Sequence, residues 1–214
     1  MPASSTLRLW IAWPFSGALA ATVFAFVAML AIGLSVGLVA DVDAAMAGAG
    51  AFTVAITCMF AAAGVGLGIA SWLAAGRVLP SGWWVAGWAA GLGLAGLLFG
   101  LAEWVVGDEA TWSAGVRLGD EVVHNVAGGL LAGYLTWRYA LRQLGVAAKD
   151  WVWVPAAGLL LAGLTVWGVT AAAGTDASNG MPLGFLVLAA VSAAGYARLP
   201  MRGRASVETR AAPA

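Results

Sequence analysis

The chain has 214 residues, of which 62% are hydrophobic and only 9% charged, with 30 glycines and 12 tryptophans. A soluble domain carries about 25% charged residues, and a disordered chain is poor in apolar ones, so neither class fits. An integral membrane protein does: at about 36 residues per span and loop, the length accommodates roughly six spans and leaves no room for a built-in ATPase, kinase or sensor domain.

In chain order, six long apolar segments stand out: Phe15–Val39, Gly50–Ala75, Ser81–Val106, Leu118–Trp137, Trp151–Ala173 and Met181–Ala197. They predict an all-α integral membrane protein, a bundle of six transmembrane helices over residues 15–198. Residues 1–14 are expected to form a cytoplasmic or interfacial segment, and 199–214 a basic, flexible cytoplasmic tail near anionic lipid headgroups. The first apolar segment follows Arg8 and precedes small residues near Ala40, as in a secretory signal. Its run of about 25 residues exceeds the roughly 7–15 of a signal core, so it reads as a retained anchor.

Positive charge sets orientation. With the N-terminus in the cytoplasm, Arg8, Arg77, Arg138, Arg142, Lys149, Arg198, Arg202, Arg204 and Arg210 fall inside, and only Arg117 outside. Asp41, Asp43, Glu103, Asp108, Glu109, Asp120, Glu121 and Asp176 fall outside, against Asp150 and Glu208 inside. A net charge of zero therefore resolves into plus seven inside and minus seven outside. Both termini are expected in the cytoplasm, and the chain in the cell membrane as a multi-pass protein. Tryptophans gather at the expected span ends, with Trp10, Trp13, Trp72, Trp83, Trp84, Trp137, Trp151 and Trp153 inside and Trp104, Trp112 and Trp167 outside. That pattern reads as a headgroup belt, with Trp88 a turn too deep for it.

Small-xxx-small spacing occurs at Gly33/Gly37, Gly64/Gly68, Gly87/Gly91, Gly96/Gly100 and Gly129/Gly133. In lipid such faces bring helix backbones together, so a tight bundle is expected. One of the faces could instead mediate self-association or hold another membrane protein. Trp84–Leu97 and Trp151–Leu164 also align at an offset of 67 residues and share Ala-Ala-Gly-Leu-x-Leu-Ala-Gly-Leu, the pattern of a duplicated helical hairpin.

Ionisable residues collect where the third span ends and the fourth begins: Glu103, Arg117, Asp120, Glu121, His124 and Asn125. Helical spacing sets Arg117 against Glu121, Asp120 against His124 and Glu121 against Asn125 at i,i+4, with Glu121 and His124 at i,i+3. If hydrocarbon begins near Leu118, the only histidine lies about 9 Å deep at 1.5 Å per residue. Ionisable groups at such depth are costly, which marks them as candidates for function. Three readings compete: a structural ion-pair cluster at a helix N-terminus, a transport or gating site, and a metal site, for which one histidine is a poor ligand set.

Cys58 is alone, so neither an internal disulfide nor a thiolate metal cluster is expected. The sequence carries no P-loop, Gly-x-Ser-x-Gly, His-Glu-x-x-His or Cys-x-x-Cys pattern. Its only lysine, Lys149, falls in a cytoplasmic loop, so no retinal Schiff base is expected within a span. Neither an enzyme, a cofactor nor a nucleic-acid partner is expected. Two functions fit. One is a small permease or channel for a cation, proton or small solute, with an acidic outward-facing mouth at the six cluster residues. The other is a non-transporting subunit or assembly factor that packs on partner proteins through its glycine faces.

Overall fold

With no water in a bilayer to satisfy backbone N–H and C=O groups, an apolar chain of this composition has to form helices. The computed structural model describes residues 8–37, 49–75, 79, 81–107, 112–174 and 177–199, and its long elements are all helical. They are α1 (Trp13–Gly37), α2 (Ala49–Ala74), α3 (Ser81–Val106), α4 (Ala114–Thr136), α5 (Trp153–Ala173) and α6 (Ala177–Ala197). A wide turn, Arg8–Ala12, leads into α1, and a second, Trp137–Leu141, continues α4. Five of the six, all but α4, are long and apolar enough to cross a membrane. The outer acids Asp41, Asp43, Asp108, Glu109 and Asp176, together with Arg77 and the tail 200–214, lie outside the described residues.

Each helix packs chiefly on its neighbours in sequence, and α6 returns to α1, so the six form a closed ring of alternating direction. Glycines set several of the contacts. A side chain at Gly64 would strike the Trp88 backbone of α3, one at Gly91 would strike Ala132 of α4, and one at Gly133 would strike Val152, the residue before α5. Gly17 of α1 faces Ala189 of α6, 3.1 Å from where its own Cβ would stand, and this closes the ring. Four of the five small-xxx-small pairs are thus used within the chain, because Gly96 and Gly100 also pack on α2. A side chain at Gly33 would meet nothing. The glycine faces expected to hold a partner protein are therefore mostly occupied by the chain's own helices.

One end of the ring carries Arg8, Arg138, Arg142, Lys149 and Arg198, and the other Glu103, Asp120 and Glu121. At the basic end the headgroup-belt reading needs correction. Trp10, Trp83 and Trp153 are exposed as a belt requires, and so is Trp104 at the acidic end, but Trp13, Trp84, Trp88 and Trp151 are at 0% exposure. They form one layer with Tyr196, in which Trp84 lies 5.5 Å from Trp151 and Trp13 lies 5.0 Å from Tyr196 between ring centroids. For Trp84 and Trp151 the physical reason is hydrogen bonding, whereas Trp13 Nε1 and Trp88 Nε1 are buried without a partner among the described residues. Trp84 Nε1–H donates to Ser71 Oγ and Trp151 Nε1–H to Thr136 Oγ1, each at 2.8 Å, so a polar tip that would otherwise seek the headgroups is satisfied inside.

These two bonds also extend the internal repeat to the preceding helices. Next to Ser71, Trp72 donates to the Leu79 carbonyl; next to Thr136, Trp137 donates to the Val146 carbonyl, both at 2.9 Å. The second loop is two residues longer, and the wide turn Trp137–Leu141 takes up part of that difference. The remaining odd-numbered helix, α1, places Trp13 in the same layer, yet its Nε1 has no hydrogen-bond partner among the described residues, and the buried Ser192 of α6 donates to its own helix at Leu188.

Candidate functional site

At the acidic end a short hairpin aligns α3 and α4. Gly107 ends α3 at φ +98°, a left-handed conformation that favours glycine. Trp112 Nε1–H donates to its carbonyl at 2.8 Å. Ser113 then caps α4 by accepting from the Val116 N–H at 3.3 Å, satisfying one of the helix's orphan donors. Glu103 sits on the last turn of α3, and Arg117, Asp120, Glu121, His124 and Asn125 run down the first three turns of α4.

His124 and Asn125 are each only 4% exposed. His124 Nδ1 is 3.0 Å from Asp120 Oδ2, and its Nε2 is 3.0 Å from Asn125 Nδ2. Asn125 Nδ2 also lies 2.7 Å from Glu121 Oε2 and 2.9 Å from the Glu121 carbonyl, so its two N–H groups are shared among three partners. Glu121 Oε2 stands 3.7 Å from His124 Nε2. Three of the spacings expected from sequence, 120/124, 121/125 and 121/124, are thus realised as contacts. Nδ1 faces the Asp120 carboxylate and Nε2 faces the Asn125 amide, and which ring nitrogen donates depends on the tautomer.

Two further elements hold the cluster in place. Phe99 of α3 meets the imidazole edge-on, with centroids 5.6 Å apart at 69°. On α5, a side chain at Gly163 would collide with Glu121 Oε2 and Asn125 Nδ2, so glycine leaves room for the carboxylate–amide pair.

Glu103, Glu121, His124 and Asn125 form one wall of a cavity of about 330 Å³ within the ring. Asp120 stands behind His124, and Arg117 is half-buried one turn nearer the acidic end; neither belongs to the wall. The remaining walls are apolar, with Phe52, Ile56 and Phe60 from α2, Val166 from α5, and Met181 and Phe185 from α6. Its deepest side chains, Leu92, Leu159 and Leu188, lie near the middles of the spans Gly82–Val106, Ala148–Ala173 and Gly180–Ala197. One turn below Leu92, Trp88 begins the buried aromatic layer, which lies between the cavity and the basic end. The Glu121–His124 pair finds no third ligand, since among the described residues no group of three His, Cys, Asp or Glu could hold a metal ion.

Sequence reasoning located the polar wall and missed the apolar ones. The repeat held the signal. An offset of 65 residues, which relates Ser71 to Thr136, also relates Ile56 to Glu121 and Phe60 to Asn125. The offset of 67 relates Leu92 to Leu159 and Phe99 to Val166. All eight line the cavity, so the two hairpins contribute corresponding positions, polar on α4 and apolar on α2. No protein family, curated protein or solved structure matches this chain.

Proposed function

We propose that the chain is a small permease or channel for a cation, proton or small solute, entered from the acidic end and closed at the basic end by the aromatic layer. The observation that carries this reading is the cavity: it reaches the middle of the spans, and its one polar wall is built from costly intramembrane groups. In this reading α4 crosses the membrane with the other five. Its 23 residues extend about 34 Å at 1.5 Å per residue. It also lies alongside α3 from Phe99–His124 to Gly87–Thr136, and alongside α5 from Gly163–Asn125 to Gly133–Val152. The charges of α4 are tolerated because they face the cavity and one another rather than lipid. The basic end faces the cytoplasm, as the arginine distribution favours. Solute would leave when the Trp13, Trp84, Trp88 and Trp151 layer parts, driven by a gradient or a partner.

The test is flux through proteoliposomes of the full chain under a potassium–valinomycin diffusion potential. A pH-sensitive dye and radiolabelled sodium, neither of which valinomycin carries, would report transport. Flux above protein-free liposomes is expected, lowered at least about tenfold (about 1.4 kcal/mol) by Glu121→Gln and by His124→Ala. Two folded variants that both conduct like the parent would remove the site assignment.

A further inference from the structure

We infer that the cavity takes an organic ammonium ion with an apolar body of about ten non-hydrogen atoms; this rests on reading the cavity as a solute site. Four observations converge on that class. The first is charge. Glu103, Asp120 and Glu121 stand against Arg117 and a single imidazole, so the cluster remains acidic in either protonation state of His124. That favours a cation over an anion.

The second is size. At about 30 Å³ per water, a volume near 330 Å³ matches about ten non-hydrogen atoms, far more than a bare alkali or divalent ion occupies. The third is the distribution of polarity. Every ionisable group of the wall comes from α3 and α4 in the acidic half, while Phe60, Leu92, Phe185 and Leu188 surround the deep half. A hydrated metal ion would set water against those four side chains. An ammonium group with a hydrocarbon body puts charge beside Glu121 and its body among them.

The fourth is aromatic lining. Phe52 and Phe99 lie 6.3 Å apart across the acidic half, with Phe99 against His124. Ring faces attract organic cations, whose charge is diffuse and weakly hydrated.

The experiment is isothermal titration of the purified full chain in detergent micelles with three probes of similar shape: phenethylammonium, 3-phenylpropan-1-ol and 3-phenylpropanoate. Saturable binding of phenethylammonium is expected, at least about tenfold tighter than the alcohol, with no saturable binding of the carboxylate. Glu121→Gln should weaken the ammonium at least about tenfold, and Val166→Phe, which fills the cavity from α5, should abolish binding. The inference is overturned if alcohol or carboxylate binds as tightly as the ammonium, or if both variants bind it like the parent. The same probe, radiolabelled, separates this inference from the permease reading. Binding without potential-driven uptake into proteoliposomes supports the ligand class and overturns transport. Sodium or proton flux without ammonium binding overturns the ligand class and supports transport.

Discussion

Replacing Thr136 with valine keeps the side chain's shape and deletes a single acceptor. Thr136 and Trp151 are both at 0% exposure, and the Trp151 N–H donates to Thr136 Oγ1 at 2.8 Å. The hydroxyl's own proton goes to the Ala132 carbonyl at 2.6 Å, a helix acceptor that is not orphaned by the loss. The cost is therefore that of one buried indole N–H left unpaired, about 1–3 kcal/mol by soluble-protein experience. Hydrogen bonds in lipid average nearer 0.6 kcal/mol, with a maximum of about 1.7, because the unfolded chain in the membrane also finds partners. The two ranges overlap at about 1–2 kcal/mol, which is the loss expected for Thr136→Val. Ser71→Ala, which removes the corresponding acceptor of Trp84, should cost a similar amount. Thr136→Ser keeps the acceptor and gives up only the methyl packed against Gly87, so it should cost less than about 1.5 kcal/mol. Equilibrium unfolding by dodecyl sulfate in mixed micelles, followed by far-ultraviolet circular dichroism, measures all three. A Thr136→Val protein as stable as the parent would refute the claim that these tryptophan–hydroxyl bonds hold the two hairpins.

Other consequences are as direct. Trp13→Phe should cost about 1–2 kcal/mol less than Trp84→Phe in the same unfolding assay, because both lose the same volume but only Trp84 loses a hydrogen bond. Gly163→Ala places a methyl on Glu121 Oε2 and Asn125 Nδ2; phenethylammonium affinity should fall about tenfold, or about 1.4 kcal/mol, by isothermal titration. Val166→Phe should stop solute flux in proteoliposomes, and because the Val166 methyls also pack on Gly180 and Gly184 of α6, it should lower stability by up to about 1–3 kcal/mol in the unfolding assay.

The bounds of all six helices were legible in the sequence within a few residues, and for five of them, all but α4, the apolar run is long enough to cross a bilayer. The cluster was legible too, because Asp120, Glu121, His124 and Asn125 are conspicuous in an apolar background and their spacing allows only certain neighbours. Two things were hidden, each for a physical reason. Lipid and protein interior are both apolar, so Phe52, Phe60 and Phe185 on a cavity wall look no different from Phe15 and Phe26 on the outside. Only α4, whose outward face is apolar and exposed at Val116, Leu118, Val122 and Val123 and whose inward face is polar, has a periodicity that can be read. Tryptophan suits headgroup and core equally. For Trp84 and Trp151 the N–H finds a hydroxyl, which depends on how α2 and α4 are rotated against α3 and α5, while Trp13 and Trp88 are buried by ring packing alone. Ser71 and Trp84 are 13 residues apart, Thr136 and Trp151 are 15, and only the folded hairpin makes those separations equivalent.

The position of the solute path is tested most directly by thiol accessibility at the cavity's deep wall. In a Cys58→Ala background, Phe185→Cys places one thiol below the polar cluster and above the aromatic layer. A membrane-impermeant, trimethylammonium-bearing methanethiosulfonate is then applied to oriented vesicles from either side. The thiol should react from the acidic-end side and be protected there by phenethylammonium. Reaction only from the basic-end side, or reaction from the acidic side that phenethylammonium leaves unchanged, would contradict a solute cavity that opens at the acidic end and is closed by tryptophans beneath.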